Sequence, residues 1–157
     1  MIKNGIFMDL GSVKMLIIKG SGRALIAAKL LKEFNEYIGI ELLKDLYLVS
    51  LNLKEKFENH FANTINSKNI SFLNKDFLDV HFEDYENNAS FILANCKTFP
   101  KQLMKEIAHR LRNFRKGCVL LTTTQTLNDY DENWEIIETL RKNMSWGTAT
   151  LYIHLKK

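Results

Sequence analysis

The chain has little cysteine, a single proline and no long apolar run. Only Cys96 and Cys118 occur, too few and too far apart for a disulfide framework or a Cys-x-x-Cys site, which implies a reducing compartment. The histidines, His60, His81, His109 and His154, show no metal-ligand spacing, so no bound metal is expected. No apolar stretch approaches the ~20 residues of a membrane span. The short apolar segment after Lys3 soon meets Asp9, unlike a signal peptide. The expected location is the nucleus or the cytoplasm.

What is present is ordinary globular composition: 157 residues, 46% hydrophobic and 25% charged. That suits one domain over residues 1–157 and excludes wholesale disorder. Lys plus Arg exceed Asp plus Glu by 22 to 18, a mild excess that permits an anionic partner without demanding one. The basic residues Lys101, Lys105, Arg110, Arg112, Arg115 and Lys116 read as a solvated face, a weak case for nucleic-acid contact. No repeat, linker or low-complexity segment interrupts the chain.

Apolar runs and helical periodicities alternate. Short strands are expected at Ile6–Leu10, Tyr37–Glu41, Ile70–Leu73, Ser90–Ala94 and Cys118–Thr122. Helices are expected over Arg23–Phe34, with Ala24, Ala27, Ala28 and Leu31 on the buried side, and over Leu42–Phe61, with Leu42, Leu46, Val49, Leu53 and Phe57 inward. A third helix starts at Pro100, carries Leu103, Ile107 and Leu111, and stops at Gly117. Trp134–Leu140 and Thr148–Leu155 read as a closing antiparallel pair, with a helix over Trp134–Arg141 as the alternative. The fold class is therefore α/β: a mostly parallel sheet with helices on both faces and an antiparallel C-terminal pair.

Ligands of such sheets lie beyond the carboxyl ends of the strands. Asp9-Leu10-Gly11-Ser12 and Gly20-Ser21-Gly22-Arg23-Ala24 together resemble the strand end, glycine turn and helix start that grip an adenosine-bearing cofactor, but Val13–Lys19 separates them. Two arrangements accommodate those seven residues. They bulge from a loop between Ser12 and Gly20, or Met15-Leu16-Ile17-Ile18 becomes the first strand. The second puts Lys19 where an acid belongs, so the bulge is the preferred expectation.

Acids follow at the next strand ends. Glu41 lies 19 residues after Gly22, near the ~20-residue spacing at which dinucleotide folds put a carboxylate on ribose hydroxyls. Asp76 would accept from an adenine amino group with Phe77 packed nearby, and Asn95 would stand beside the reacting end. Singly, these are ordinary turn and helix-start residues; in series they suggest a cofactor site. Leu25 stands where a nicotinamide or flavin fold would want its third glycine, and no Gly-Lys-Ser/Thr follows the loop. S-adenosylmethionine is the common ligand that remains. Its carboxylate suits a helix N-terminus, and Asp9 could serve its amino group.

With these residues in view, the chain resembles a class I, seven-β-strand S-adenosylmethionine-dependent methyltransferase with a Rossmann-like sheet. More narrowly it resembles the non-SET histone lysine methyltransferases of the disruptor-of-telomeric-silencing family. The likeness runs from Phe7 to Leu155 and rests on the glycine stretch, Ile38-Gly39-Ile40-Glu41, Asp76-Phe77, Ala94-Asn95-Cys96-Lys97-Thr98-Phe99 and Met144-Ser145-Trp146-Gly147. It implies cofactor contacts at Asp9, Gly11, Gly20, Gly22, Glu41, Asp76, Phe77 and Asn95. It also implies catalytic roles for Asn95 beside the methyl group and for Phe99 and Trp146 lining a channel for the target lysine, with a histone or nucleosome as partner. The family's lid segment, which precedes the glycine motif, is expected to be absent, since eight residues precede Asp9.

Two other readings stand beside a lysine N-methyltransferase. One is a methyltransferase for RNA or a small molecule, against which Asn95 lacks a following Pro-Pro-Tyr/Phe. The other is an inert module that keeps only the fold.

Overall fold

Lys14–Ile18 forms the first strand, β1, lying between the second and fourth strands of a seven-stranded sheet. The computed structural model describes residues 14–18, 20–62, 69–144 and 147–157. The elements after β1 are α1 (Arg23–Leu31), β2 (Glu36–Ile40), α2 (Lys44–Phe61), β3 (Ile70–Leu73), β4 (Ala89–Ala94), α3 (Lys101–Arg110), β5 (Val119–Thr123), β6 (Trp134–Met144) and β7 (Gly147–Lys156). The sheet order is β3-β2-β1-β4-β5-β7-β6. β1 to β5 run parallel, while β7 pairs antiparallel with both β5 and β6.

The identity of β1 corrects the preferred expectation. Met15–Ile18 is not a bulge but a strand in full register, from Lys14 opposite Glu36 to Ile18 opposite Ile40. The reason is burial. Met15 and Ile17 enter the core on one face of the sheet, and Leu16 and Ile18 enter the core on the other. A strand covered on both faces reads as an unbroken apolar run. Each of these side chains gains roughly 1.5–3 kcal/mol on burial, an advantage that a surface bulge would forgo. Ile6–Leu10, the expected first strand, lies outside the described residues.

The other strands fall within a residue or two of expectation, except that β6 continues to Met144 and completes a long hairpin with β7. The helices differ more. α1 ends at Leu31, and its buried side chains are Leu25, Ile26 and Lys29. Of the expected inward residues only Ala28 packs partly against the core; Ala24 and Ala27 are exposed, and Leu31 is 85% exposed. In α2 the inward positions are Ser50, Leu53, Phe57 and Phe61, whereas Val49 is exposed; Leu42, also expected inward, precedes the helix and is exposed. The difference arises because two overlapping 3.6-residue stripes exist in each helix, and the loops decide which one meets the sheet. α1 and α2 cover one face; α3 covers the other, together with short 3-10 turns at Phe77–Asp79 and Phe82–Asp84. α3 stops at Arg110, seven residues before Gly117. Of the expected basic surface, Arg115 is spent internally on the Ala89 carbonyl and the Ser90 hydroxyl. No helix among the described residues is long and apolar enough to cross a membrane.

Two side chains fasten this framework. Phe72 of β3 crosses the face of Gly39 in β2, where an added Cβ would come within 2.4 Å of the ring. His154 of β7 is fully buried. Its Nδ1 meets the Leu120 carbonyl at 3.2 Å, and its Nε2 accepts from the Leu127 amide at 3.2 Å, beside the Thr126 hydroxyl. Nε2 therefore carries no proton, and Nδ1 donates. Burial holds the imidazole below its ordinary value, against backbone hydrogen bonds from Leu120 and Tyr152 and the charge of Asp129.

The substitution Gly39→Ala should cost about 1–3 kcal/mol through overpacking against Phe72, read as a lower urea midpoint, and adding Phe72→Leu should restore part of it. Because the folded imidazole is depressed, its contribution is fully present above about pH 6.5 and is lost as pH falls toward the folded value. Urea midpoints should therefore drop between pH 7.5 and 5.5, and His154→Gln should flatten that slope.

Candidate cofactor and acceptor site

The sheet order reverses between β1 and β4, and there the carboxyl ends of the strands converge. Residues 20–22 lead into α1, with Gly22 as the N-cap residue at φ 78°. A side chain there would meet Phe72 at 2.8 Å and Ser50 at 2.9 Å, so both conformation and space require glycine. Gly20 also has positive φ, 149°, and a Cβ on it would meet nothing within 4 Å. α1 has no side-chain cap; its first-turn amides suit an anionic group.

Glu41, the residue after β2, ties this turn down. It is 3% exposed. Oε2 accepts from the Gly20 amide and Oε1 from the Leu43 amide, both at 2.8 Å. A carboxylate has about four acceptor positions, so capacity remains for ribose hydroxyls after both amides are served. Asn74, beyond β3, donates to the carbonyls of Glu41 and Leu42 at 2.8 and 3.0 Å, fixing the ends of β2 and β3 together.

Between these strand ends and α3 lies a cavity of about 260 Å³. Ile18, Glu41, Leu42, Asp76, Phe77 and Phe99 line it, with Leu103 and Ile107 of α3 behind. It is small for a ligand pocket and mostly apolar, with acids at one side, a composition that suits an adenosine. Asp76 accepts from the Leu78 amide at 2.9 Å and so caps the 3-10 turn that carries Phe77. Phe77 is buried against Phe82, ring centroids 4.7 Å apart.

Asn95 stands just past β4, half-buried, with its amide donating to the Ile18 carbonyl at 3.3 Å. Its side-chain oxygen accepts from the Thr123 hydroxyl at 2.8 Å, and that hydroxyl accepts from the Cys96 amide at 3.0 Å. Phe99 packs partly against the core beneath the cavity. Burial pushes the Cys118 thiol up to about 12, against the charges of Arg115 and Lys156; it is no nucleophile at neutral pH.

The structure thus brings Glu41, Asp76, Phe77 and Phe99 to one cavity, with Gly20 and Gly22 in the turn that Glu41 holds. Asn95 is placed at the adjoining strand end, off the lining. Asp9, Gly11 and Trp146 lie outside the described residues, and the strand end that Asp9 was expected to provide belongs to Ile18. Asn74, Thr123 and Gln125 escaped the sequence reading, and Leu103 and Ile107 were expected as the buried stripe of a helix but not as cavity lining. Thr123 and Gln125 had one available signal, the polar run that follows an apolar strand.

A family profile described as "Histone methylation protein DOT1" matches residues 1–150. The chain belongs to that family. Its fold is that of the class I S-adenosylmethionine-dependent methyltransferases, and the cofactor of such a domain is S-adenosylmethionine. Among solved structures, the tRNA methyltransferase TrmK of B. subtilis is similar at a TM-score of 0.67 and 16% identity, over 96% of this chain and 62% of TrmK. TrmN from Thermus thermophilus is similar at 0.68 and 15%, over 94% and 44%. An RNA methyltransferase from Salinibacter ruber, in complex with S-adenosyl-L-homocysteine, is similar at 0.65 and 14%, over 93% and 82%. At such identities these likenesses speak for the fold alone. The chain spans less than two thirds of TrmK and less than half of TrmN. Among proteins of curated function, none matches the chain.

Calorimetry with S-adenosylhomocysteine tests the cofactor assignment. Glu41→Gln removes the charge, and its NH2 would face an amide donor. A lost charged hydrogen bond of about 1.5–3 kcal/mol should weaken binding by at least about tenfold; unchanged affinity would sink the ribose role.

Proposed function

We propose that this chain is the cofactor-binding and catalytic core of a protein lysine N-methyltransferase acting on a histone. The observation that carries the reading is the cavity joining Glu41 and Asp76 to Phe99, in a chain of the histone methylation protein DOT1 family. The chemistry supplied there by bound S-adenosylmethionine is an electrophilic methyl group on a good leaving sulfur. The residues of the chain have a modest task. Glu41, through the glycine turn, and Asp76 hold the nucleoside. Leu42, Phe77, Leu103 and Ile107 exclude water from it. Asn95 and Phe99 define the acceptor side.

A lysine amine must be neutral to accept a methyl group. An apolar channel past Phe99 would favour the neutral form by desolvation, and orientation would supply much of the rate. Asn95, Phe99 and Trp146 are the residues assigned to that side, with Gly20, Gly22, Glu41, Asp76 and Phe77 on the cofactor; Asp9 and Gly11 keep their expected cofactor roles in this reading. A histone or nucleosome is the proposed partner, and the exposed Lys101 and Lys105 beside the cavity would suit an anionic surface near it.

A second reading, transfer to RNA, draws on the RNA methyltransferases among the similar structures. Cys96-Lys97-Thr98 after Asn95 lacks the Pro-Pro-Tyr/Phe of base amino methylation, which favours lysine. Labelled methyl transfer separates the two. Label should enter core histones and not tRNA; label in tRNA alone would select the RNA reading, and none in either would favour an inert module. The variant Asn95→Ala should lower kcat roughly 10²-fold by loosening orientation, with cofactor affinity little changed.

A further inference from the structure

The ladder between β4 and β5 ends at Ala94 opposite Thr122. Beyond that pair, residues 95–99 receive side-chain tethers from the continuation of β5. Thr123 binds the Cys96 amide and the Asn95 side chain. Gln125 Nε2 donates to the carbonyls of both Cys96 and Phe99, each at 2.7 Å. Both partners are acceptors only, so the amide group must face them with its nitrogen. The Phe99 amide closes the same turn onto the Cys96 carbonyl at 3.1 Å.

The backbone that aims Gln125 is unusual. Its amide bonds back to the Thr123 carbonyl at 2.8 Å, with Thr124 between them at φ 70°. That is a γ-turn of the rare positive-φ kind. Thr124 is the one non-glycine residue with positive φ among the described residues. The Thr122 hydroxyl holds the turn by donating to the Gln125 carbonyl at 2.6 Å. Strain of this sort persists where surrounding contacts over-determine it, and it gathers at functional sites.

We propose that Gln125 is a positioning residue for the acceptor side of the site: aimed by the strained turn at Thr124, its side-chain amide clasps residues 96–99. It thereby sets Phe99 at the cavity and Asn95 at the end of β4. This rests on the methyltransferase reading above. Gln125 does not itself line the cavity and is not bonded to Glu41; it reaches the site only through the backbone of residues 96–99 and the Thr123 network, so its effect falls on transfer rather than on cofactor binding.

The test uses the whole chain with Gln125→Glu, which keeps shape but removes both donors at neutral pH, and Gln125→Ala. At pH 8, Gln125→Glu should keep S-adenosylhomocysteine affinity within about twofold and cofactor KM unchanged, while kcat falls about tenfold or more, as misplacement of reacting groups predicts. Two facing carbonyl oxygens disfavour the carboxylate and raise it well above its ordinary value of about 4.3. On acidification toward pH 6 the ratio of its kcat to that of the natural chain should therefore recover, because the protonated carboxyl regains one donor. The Ala variant should show the loss without the recovery. A kcat within twofold of the natural chain, or a loss matched by lost cofactor affinity, would overturn the proposal. If the natural chain binds cofactor but methylates no acceptor, the methyltransferase reading fails by itself. Hydrogen exchange at the Phe99 amide then decides the clasp: faster exchange in Gln125→Glu supports it, and an unchanged rate overturns it.

Discussion

The buried carboxylate of Glu41 is the contact on which the ligand end of this molecule depends. One oxygen holds the Gly20 amide and the other the Leu43 amide, so the β1–α1 turn and the entry to α2 share one anchor. An unpaired carboxylate in this place would carry a large desolvation cost. Two backbone donors and the Asn74 amide on the neighbouring carbonyls satisfy the junction. The same geometry leaves acceptor capacity facing the cavity. The acid that lines the cavity is therefore also a structural one.

The second constraint is the sheet itself. Because β1 is covered on both faces, four consecutive apolar residues are required there, and Met15–Ile18 meets that requirement. Asn95, just past β4, and Thr123, the last residue of β5, lie beyond the final pair of the β4–β5 ladder. They meet through side chains where backbone pairing stops, so the two halves of the site are built differently. The side at Glu41 hangs on backbone amides and one carboxylate, while the side at Asn95 and Phe99 hangs on a network of side-chain hydroxyls and amides. Networks of the second kind depend on side-chain identity far more than a ladder does.

Sequence alone determined the alternation of elements and the acids at successive strand ends. These follow from local periodicity and from residues that must sit where strands stop. The sequence favoured the antiparallel tail, and the β6–β7 pairing decided it against a helix. The class of cofactor also followed, because Leu25 excludes a third glycine and no P-loop lysine occurs. Tertiary structure decided the rest. Two apolar runs, Ile6–Leu10 and Met15–Ile18, competed for one strand, and only cover from both faces selects the second. The stripe expected for α1 and α2 was only partly the one that packs, because the face that meets Phe34, Phe72 and Phe91 is defined by contacts distant in sequence. Gln125 reaches its partners 26 and 29 residues away through a turn at Thr124, a conformation that no local propensity favours for threonine. The residues named by pattern were those fixed by backbone position; those missed were fixed by side chains crossing between strands.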